Sequence, residues 1–390
     1  MFAPSSATKL LSAILVLSAA SAFAAPPADA KLVDVWSRMD EFYGSRGVRK
    51  PDAPRPFKTA ENSKELDALL DAFLDAHPNT GLLVLKGDTV LAERYQYGRT
   101  AQHRFASASV AKTVLGMLVG IAVHEKKFSL DDKAAQYVPE LKGHPYGDTT
   151  IRHLLTMSSG IVFNETYKGR DDGSKLVANT LRRQTEGGAD TVLEFKQREA
   201  PAGTRFRYAS SDSQVLGLVL AAAVREPLST YLSEKIWQPM GAEAHATWLL
   251  DKAGYETGYC CINATLRDFA RFGMLLANYG ALDGKQIIPR EWVKAATTPS
   301  AEHLKVGTAT PNNGYGYQTW ILGNRDRHPR EGGDPFRFAA LGIHGQAIYI
   351  DTVSKLVVVH TAAWSDPTDR AERGAQFKLL EAIFAKLESQ

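Results

Sequence analysis

Strand-forming residues lie at both ends of this chain and helical patterns fill its middle, and that distribution restricts the fold more than any other feature. Toward the N-terminus, Thr80–Leu85 and Thr89–Tyr95 are β-rich runs joined by Lys86-Gly87-Asp88, a hairpin signal. Toward the C-terminus, Tyr315–Ile321, Ala347–Ile350 and Leu356–Thr361 are rich in aromatic and β-branched residues. Between them Val110–His124, Ile151–Met157, Asp190–Arg198, Ser213–Val224, Leu228–Ile236 and Leu266–Tyr279 all carry plausible helical faces. Helical spacing also appears outside the strands, in Lys64–Ala76 (Leu66, Leu69, Leu70, Phe73, Leu74) and in a closing helix over Arg370–Leu387. One sheet is therefore expected from the two ends of the chain. The fold class is α+β: an antiparallel sheet flanked by N- and C-terminal helices, with a mostly helical lobe inserted. The expected boundaries are about 60–108 and 300–390 for the α/β lobe and about 109–299 for the helical one. A cleft where two such lobes meet is the usual place for a site. Pro26–Lys58, rich in Pro and charge without a sustained period, reads as a surface arm.

Residues 1–24 read as a signal peptide. Lys9 precedes an apolar run from Leu10 to Ala20, and Ala22-Phe23-Ala24 is an Ala-x-Ala cleavage signal. The mature chain, 25–390, is expected to be exported, periplasmic or secreted, with no transmembrane anchor, since no later stretch is long and uncharged enough to span a bilayer. Its 46 Lys+Arg against 43 Asp+Glu are scattered, which gives nucleic acid no electrostatic footprint.

The chemistry concentrates in Ser107-Ala108-Ser109-Val110-Ala111-Lys112, which opens an apolar helix. Ser109 and Lys112 form Ser-x-x-Lys, and a helix brings i and i+3 to one face, so the amine would lie one turn from the hydroxyl. A serine hydroxyl is a weak nucleophile without a base, and burial is what would make a lysine partly neutral. The spacing alone is cheap, for Ser6 and Lys9 repeat it inside the leader. Context favours the later pair, because residues after Lys112 are apolar on nearly all sides and a lone lysine there is costly without a purpose.

Two further elements follow: Tyr208-Ala209-Ser210 before an apolar helix, and Ala340-Leu341-Gly342-Ile343-His344-Gly345-Gln346 opening a strand. In this order the three elements resemble the serine β-lactamase and penicillin-recognising superfamily, over roughly residues 65–388. Thr150 to Gly160 and Ala264 to Leu275 are similar to that family's supporting stretches. Within it, Tyr-x-Ser, Gly-Ile-His-Gly-Gln and Tyr167 after the Ser-Gly turn are most similar to the class C and carboxylesterase branch, specifically the 6-aminohexanoate-dimer hydrolases. The resemblance implies a β-lactamase/DD-peptidase-like fold and a serine hydrolase that needs no cofactor and no metal. It also implies a small-molecule amide or ester substrate, with Ser109 as nucleophile, Lys112 as its base partner and Tyr208 as the phenol relaying protons. The N–H groups of Ser109 and Ile343 would form the oxyanion hole. An ammonium beside a phenol is expected to lower the phenol pKa. Tyr167, Ser210, Gly342 and His344 are candidate substrate contacts, with Ser210 a possible partner of Lys112 and His344 better suited to bracing the strand end.

The Lys-Thr-Gly of β-lactamases and peptidases is replaced here by Ala340-Leu341-Gly342, so the clamp for a substrate carboxylate is missing. That lowers β-lactamase or D-Ala-D-Ala carboxypeptidase activity to the alternative, and a non-catalytic cell-wall-binding relative is the second. The chain lacks a Gly-x-Ser-x-Gly elbow, and His124-Glu125 is not followed by the second His of a zinc hydrolase. The only cysteines, Cys260 and Cys261, are adjacent, closer than the usual disulfide span, and are expected to be two buried thiols rather than a vicinal disulfide.

Overall fold

The structure, a computed structural model, describes residues 25–60, 64–323 and 337–388; residues 1–24, read as a signal peptide, lie outside the described residues. Its large sheet has eight strands in the spatial order Asn313–Tyr315, Trp320–Leu322, Arg337–Leu341, Ala347–Asp351, Leu356–Ala362, Asn79–Lys86, Thr89–Tyr95 and Lys58–Thr59. Neighbours are antiparallel except for the parallel pair at the last edge. The strand from the C-terminal part, Leu356–Ala362, pairs directly with Asn79–Lys86, His360 opposite Leu82, so the sheet is drawn from both ends of the sequence.

The period of two then decides what each face covers. Leu82, Val84, Val358 and Tyr349 meet Leu70 and Phe73 of helix Lys64–Ala76, and Leu380, Ile383 and Phe384 of helix Arg370–Glu388. Their sequence neighbours Leu83, Leu85, Val357, Val359 and Ile348 point the other way, into the core shared with helices Val110–His124 and Leu266–Ala277. Helix Val110–His124 is buried from Val110 to Ala122, which is why its sequence shows no polar face. A second, four-stranded sheet runs Ser45–Val48, Ala246–Leu249, Ile262–Ala264 and Phe105–Ala106. Its last strand, with Ala106 opposite Asn263, delivers the chain to Ser109.

Four expectations need correction. The arm over Pro26–Lys58 contains a helix, Ala30–Phe42, interrupted at Arg38 (φ −155°), whose Val33, Trp36 and Met39 are buried, with Leu32 and Val35 packed beside them; these five apolar residues stand at helical spacing within a charged stretch. Asp190–Arg198 is not an α-helix: a single 3₁₀ turn, Gly188–Thr191, precedes irregular chain ending in a bridge between Arg198 and Ile161. Its Val192 and Phe195 reach the core from successive turns. Tyr315–Ile321 is two strands, because Gly316 packs against the Ala296 carbonyl and Gln318 takes φ +52° to reverse the chain. Cys260 and Cys261 form a vicinal disulfide with Cα atoms 3.7 Å apart. The backbone at Cys261 is left-handed, φ +79°, and the bond forms at a Cα separation below the usual disulfide span.

Candidate active site

Ser109 stands at the first turn of helix Val110–His124, and its hydroxyl makes no capping bond, so it is not spent on the helix terminus. Lys112, one turn on and 1% exposed, holds its Nζ 2.9 Å from Ser109 Oγ and donates to the Tyr259 carbonyl at 2.7 Å. Burial pushes the Lys112 pKa down to about 8, partly opposed by the carboxylate of Glu165. A useful fraction of the amine is therefore neutral near physiological pH.

Tyr208 completes the cluster from the chain just before helix Ser210–Val224. The Lys112 ammonium position lies 5.1 Å from the Tyr208 ring centroid, and the Ser109 hydroxyl slightly favours the phenol's ionised form. Burial, then the charge of Glu165, raise the phenol pKa above its ordinary 10, opposite to the lowering expected from a neighbouring ammonium. The reason is that burial disfavours phenolate and ammonium alike, while Glu165 adds negative charge on the phenol's side. Tyr208 is thus held as a proton donor, and Lys112 is the group suited to accept.

Gly342 explains how the strand end reaches the nucleophile. A Cβ on it would stand 2.8 Å from the Ser107 carbonyl and 2.9 Å from Ala108 Cβ, so glycine is needed for contact with the turn before Ser109 rather than for room around a substrate. The next residue is Ile343, in a short 3₁₀ turn. Its N–H and that of Ser109 have no acceptor among the described residues, which leaves two donors for an oxyanion. His344 turns inward: its Nδ1 lies 2.6 Å from the Trp364 carbonyl oxygen and its ring packs on Trp36 at 4.7 Å. It belongs to the support of the strand end, not to the cleft.

Ser210 does not bond Lys112. Its N–H and hydroxyl donate to Glu165 at 2.8 and 2.5 Å, and the half-buried Tyr167 also donates to Glu165. Glu165 is the residue that sequence reasoning missed; it ties the Tyr167 loop to the Tyr208–Ser210 turn, and nothing in its spacing signalled that contact. Also missed is the aromatic wall: Trp320 stacks on Tyr208 at 5.4 Å and 19°, with Tyr315 edge-on to both and Phe206 beside them. Behind the wall, Asp212 accepts from Ser159 and Tyr146 at 2.8 and 3.0 Å and is raised by burial to about 7. It pins the Ser158-Ser159-Gly160 turn to the helix that follows Tyr208.

The Beta-lactamase family model matches residues 66–383. The 6-aminohexanoate-dimer hydrolase of Paenarthrobacter ureafaciens is 28% identical over 374 residues, 91% of each chain. Among solved structures, the "Putative 6-aminohexanoate-dimer hydrolase from Bacillus anthracis" superposes with a TM-score of 0.81 at 25% identity, covering 93% of this chain and 95% of that one. A family VIII carboxylesterase shares the fold, with a TM-score of 0.61 at 16% identity over 84% of this chain and 98% of its own.

Proposed function

The chain belongs to the beta-lactamase family and is a serine hydrolase, and from that premise we propose that it cleaves an amide or ester through an acyl-enzyme on Ser109. The observation that carries this reading is the buried Lys112 amine 2.9 Å from Ser109 Oγ, with the Tyr208 ring centroid 5.1 Å from the same amine. Neutral Lys112 takes the Ser109 proton as Oγ attacks the carbonyl carbon. The oxyanion is received by the N–H groups of Ser109 and Ile343. Tyr208 gives its proton to the departing nitrogen or oxygen and regains one from the Lys112 ammonium. Water then attacks the ester in the same geometry, and Ser109 is released.

The substrate class follows from what surrounds the triad. Ala340-Leu341-Gly342 offers no side chain to clamp a carboxylate, while Trp320 and Tyr315 give an apolar wall beside Tyr208. A small amide or ester, of the kind named for the 6-aminohexanoate-dimer hydrolases and carboxylesterases, suits this better than a penicillin or a D-Ala-D-Ala peptide. Export is part of the proposal: the Ala-x-Ala leader and a buried disulfide both fit an oxidising compartment.

The test compares the purified mature protein with Ser109→Ala on p-nitrophenyl butyrate, the linear 6-aminohexanoate dimer and nitrocefin. Turnover of either of the first two, lost in Ser109→Ala, supports the reading; nitrocefin as the preferred substrate reverses the ranking. Equal behaviour of both proteins on all three overturns it.

A further inference from the structure

Cys260 and Cys261 are 7% and 4% exposed and lie in the turn entering strand Ile262–Ala264, where neighbouring backbone groups engage the elements that carry the site. On one side, the Tyr259 carbonyl accepts from Lys112 Nζ at 2.7 Å. On the other, the Cys261 N–H donates to the Ala108 carbonyl at 3.4 Å, the Ser107 N–H to the Ile262 carbonyl at 2.8 Å, and the Ile262 N–H to Ser107 Oγ at 3.0 Å. The Cys260 carbonyl is held in turn by Trp248 Nε1 at 3.0 Å and Thr257 Oγ1 at 3.1 Å. Four consecutive residues, Tyr259 to Ile262, thus touch both the amine and the two residues before Ser109. Within them Cys261 sits at φ +79°, a region that non-glycine residues enter uncommonly and at a cost.

We propose that the Cys260–Cys261 disulfide positions Lys112: by holding the left-handed turn at Cys261, it fixes the Tyr259 carbonyl against the amine. This rests on the reading of Lys112 as the base of Ser109. A neutral amine has two N–H donors and one lone pair; one N–H spent on a fixed carbonyl halves the orientations left to it, so the lone pair faces Ser109 Oγ more often than in a free amine. Lys112 supplies the base and the disulfide supplies its orientation. The pair is a positioning device and touches no substrate.

The effect on ionisation has a direction that mere loosening would not share. The titratable groups facing Lys112 are Glu165, Tyr208 and Tyr259. The Tyr259 carbonyl stabilises the ammonium form, so displacing it moves the Lys112 ionisation lower, whereas admitting water moves it up toward the ordinary 10.5.

The experiment measures acylation and turnover of p-nitrophenyl butyrate across pH for wild type, Cys260→Ser/Cys261→Ser and Cys260→Ser/Cys261→Gly, with fluorophosphonate labelling of Ser109 in each. For the Ser/Ser variant the expected result is a plateau kcat down about tenfold, with KM within about twofold and the acid limb moved to lower pH. The Ser/Gly variant recovers most of the plateau, since glycine takes φ +79° without a ring to hold it. Wild-type kcat and limb in Ser/Ser, or a limb moved upward, overturns the proposal. If Ser/Ser does not fold, wild type with its disulfide reduced decides: a loss of about tenfold in kcat with the limb moved lower supports the proposal, and unchanged kcat and limb overturn it. Absence of Ser109 labelling in wild type defeats the nucleophile reading and this inference with it, whereas labelled wild type with unaffected variants defeats the positioning alone.

Discussion

Lys112 Nζ stands 2.9 Å from Ser109 Oγ on a helix whose residues from Val110 to Ala122 are all buried. Because burial lowers the amine pKa to about 8 and only the neutral amine can take the serine proton, activity should rise with pH through about 8 and level off above it. Lys112→Ala should lose about 10²–10⁴ in kcat, and Lys112→Arg should not restore it, since guanidinium stays charged. Stopped-flow acylation between pH 6 and 9.5 checks both. A flat profile through that range would show that the amine is not the base.

Glu165 sets the charge of the site from one side. Its carboxylate raises the ionisation of Lys112 and of Tyr208, so Glu165→Gln should shift the acid limb of kcat/KM to lower pH. It should also weaken the tie between the Tyr167 loop and Ser210, because a neutral amide accepts less strongly from the Ser210 N–H and hydroxyl. The expected signature is a downward limb together with a higher KM, read from pH profiles on one ester. An upward limb would contradict the assigned electrostatics.

Gly342→Ala tests how the strand end reaches Ser109. The added methyl meets the Ser107 carbonyl at 2.8 Å and Ala108 Cβ at 2.9 Å, both backbone or backbone-borne, so the strand end has to retreat and take the Ile343 N–H with it. The cost of such overpacking is about 1–3 kcal/mol, and a displaced oxyanion donor costs about 10²–10³ in kcat. Thermal melting and steady-state kinetics read the two separately. A variant with wild-type kcat would show that Ile343 is not in the oxyanion hole.

Much of this was legible in the residues, and what was not has a physical cause. Helices Lys64–Ala76 and Val110–His124 were readable because each lies wholly within its own period or apolar run. The approach of Lys112 to Ser109 was readable for a related reason, being fixed by i, i+3 on one helix. Glu165 was not readable, since its partners Ser210 and Tyr167 meet it through tertiary packing of a loop. Trp320 and Tyr315 had been read as parts of one strand; the turn at Gln318 separates them and folds both onto Tyr208. Helix Ala30–Phe42 did carry a helical apolar stripe in Leu32, Val33, Val35, Trp36 and Met39, overshadowed by the prolines and charges around it; its Trp36 packs on His344. The pairing of Cys260 with Cys261 depended on a left-handed φ that no local pattern announces.

His360 places an acid limit on the fold itself. It lies in the central strand, 1% exposed, with Nδ1 3.0 Å from the Asn79 amide nitrogen and, among the described residues, no hydrogen-bond partner for Nε2. Burial lowers its pKa from 6.5 to about 3, helped by the charges of Arg373 and His77. The neutral ring is therefore the folded form, while the unfolded chain binds a proton near pH 6.5. Stability from this group is present above about 6.5 and is lost as pH falls toward about 3, because across that window the unfolded state holds the extra proton. Melting temperature should decline through the window, and His360→Asn, which cannot titrate, should flatten the decline while lowering the melting temperature at pH 7 through the volume it leaves empty. Calorimetry of both proteins at pH 4, 5.5 and 7 separates the two effects, and an equal pH slope in both would remove His360 as the cause.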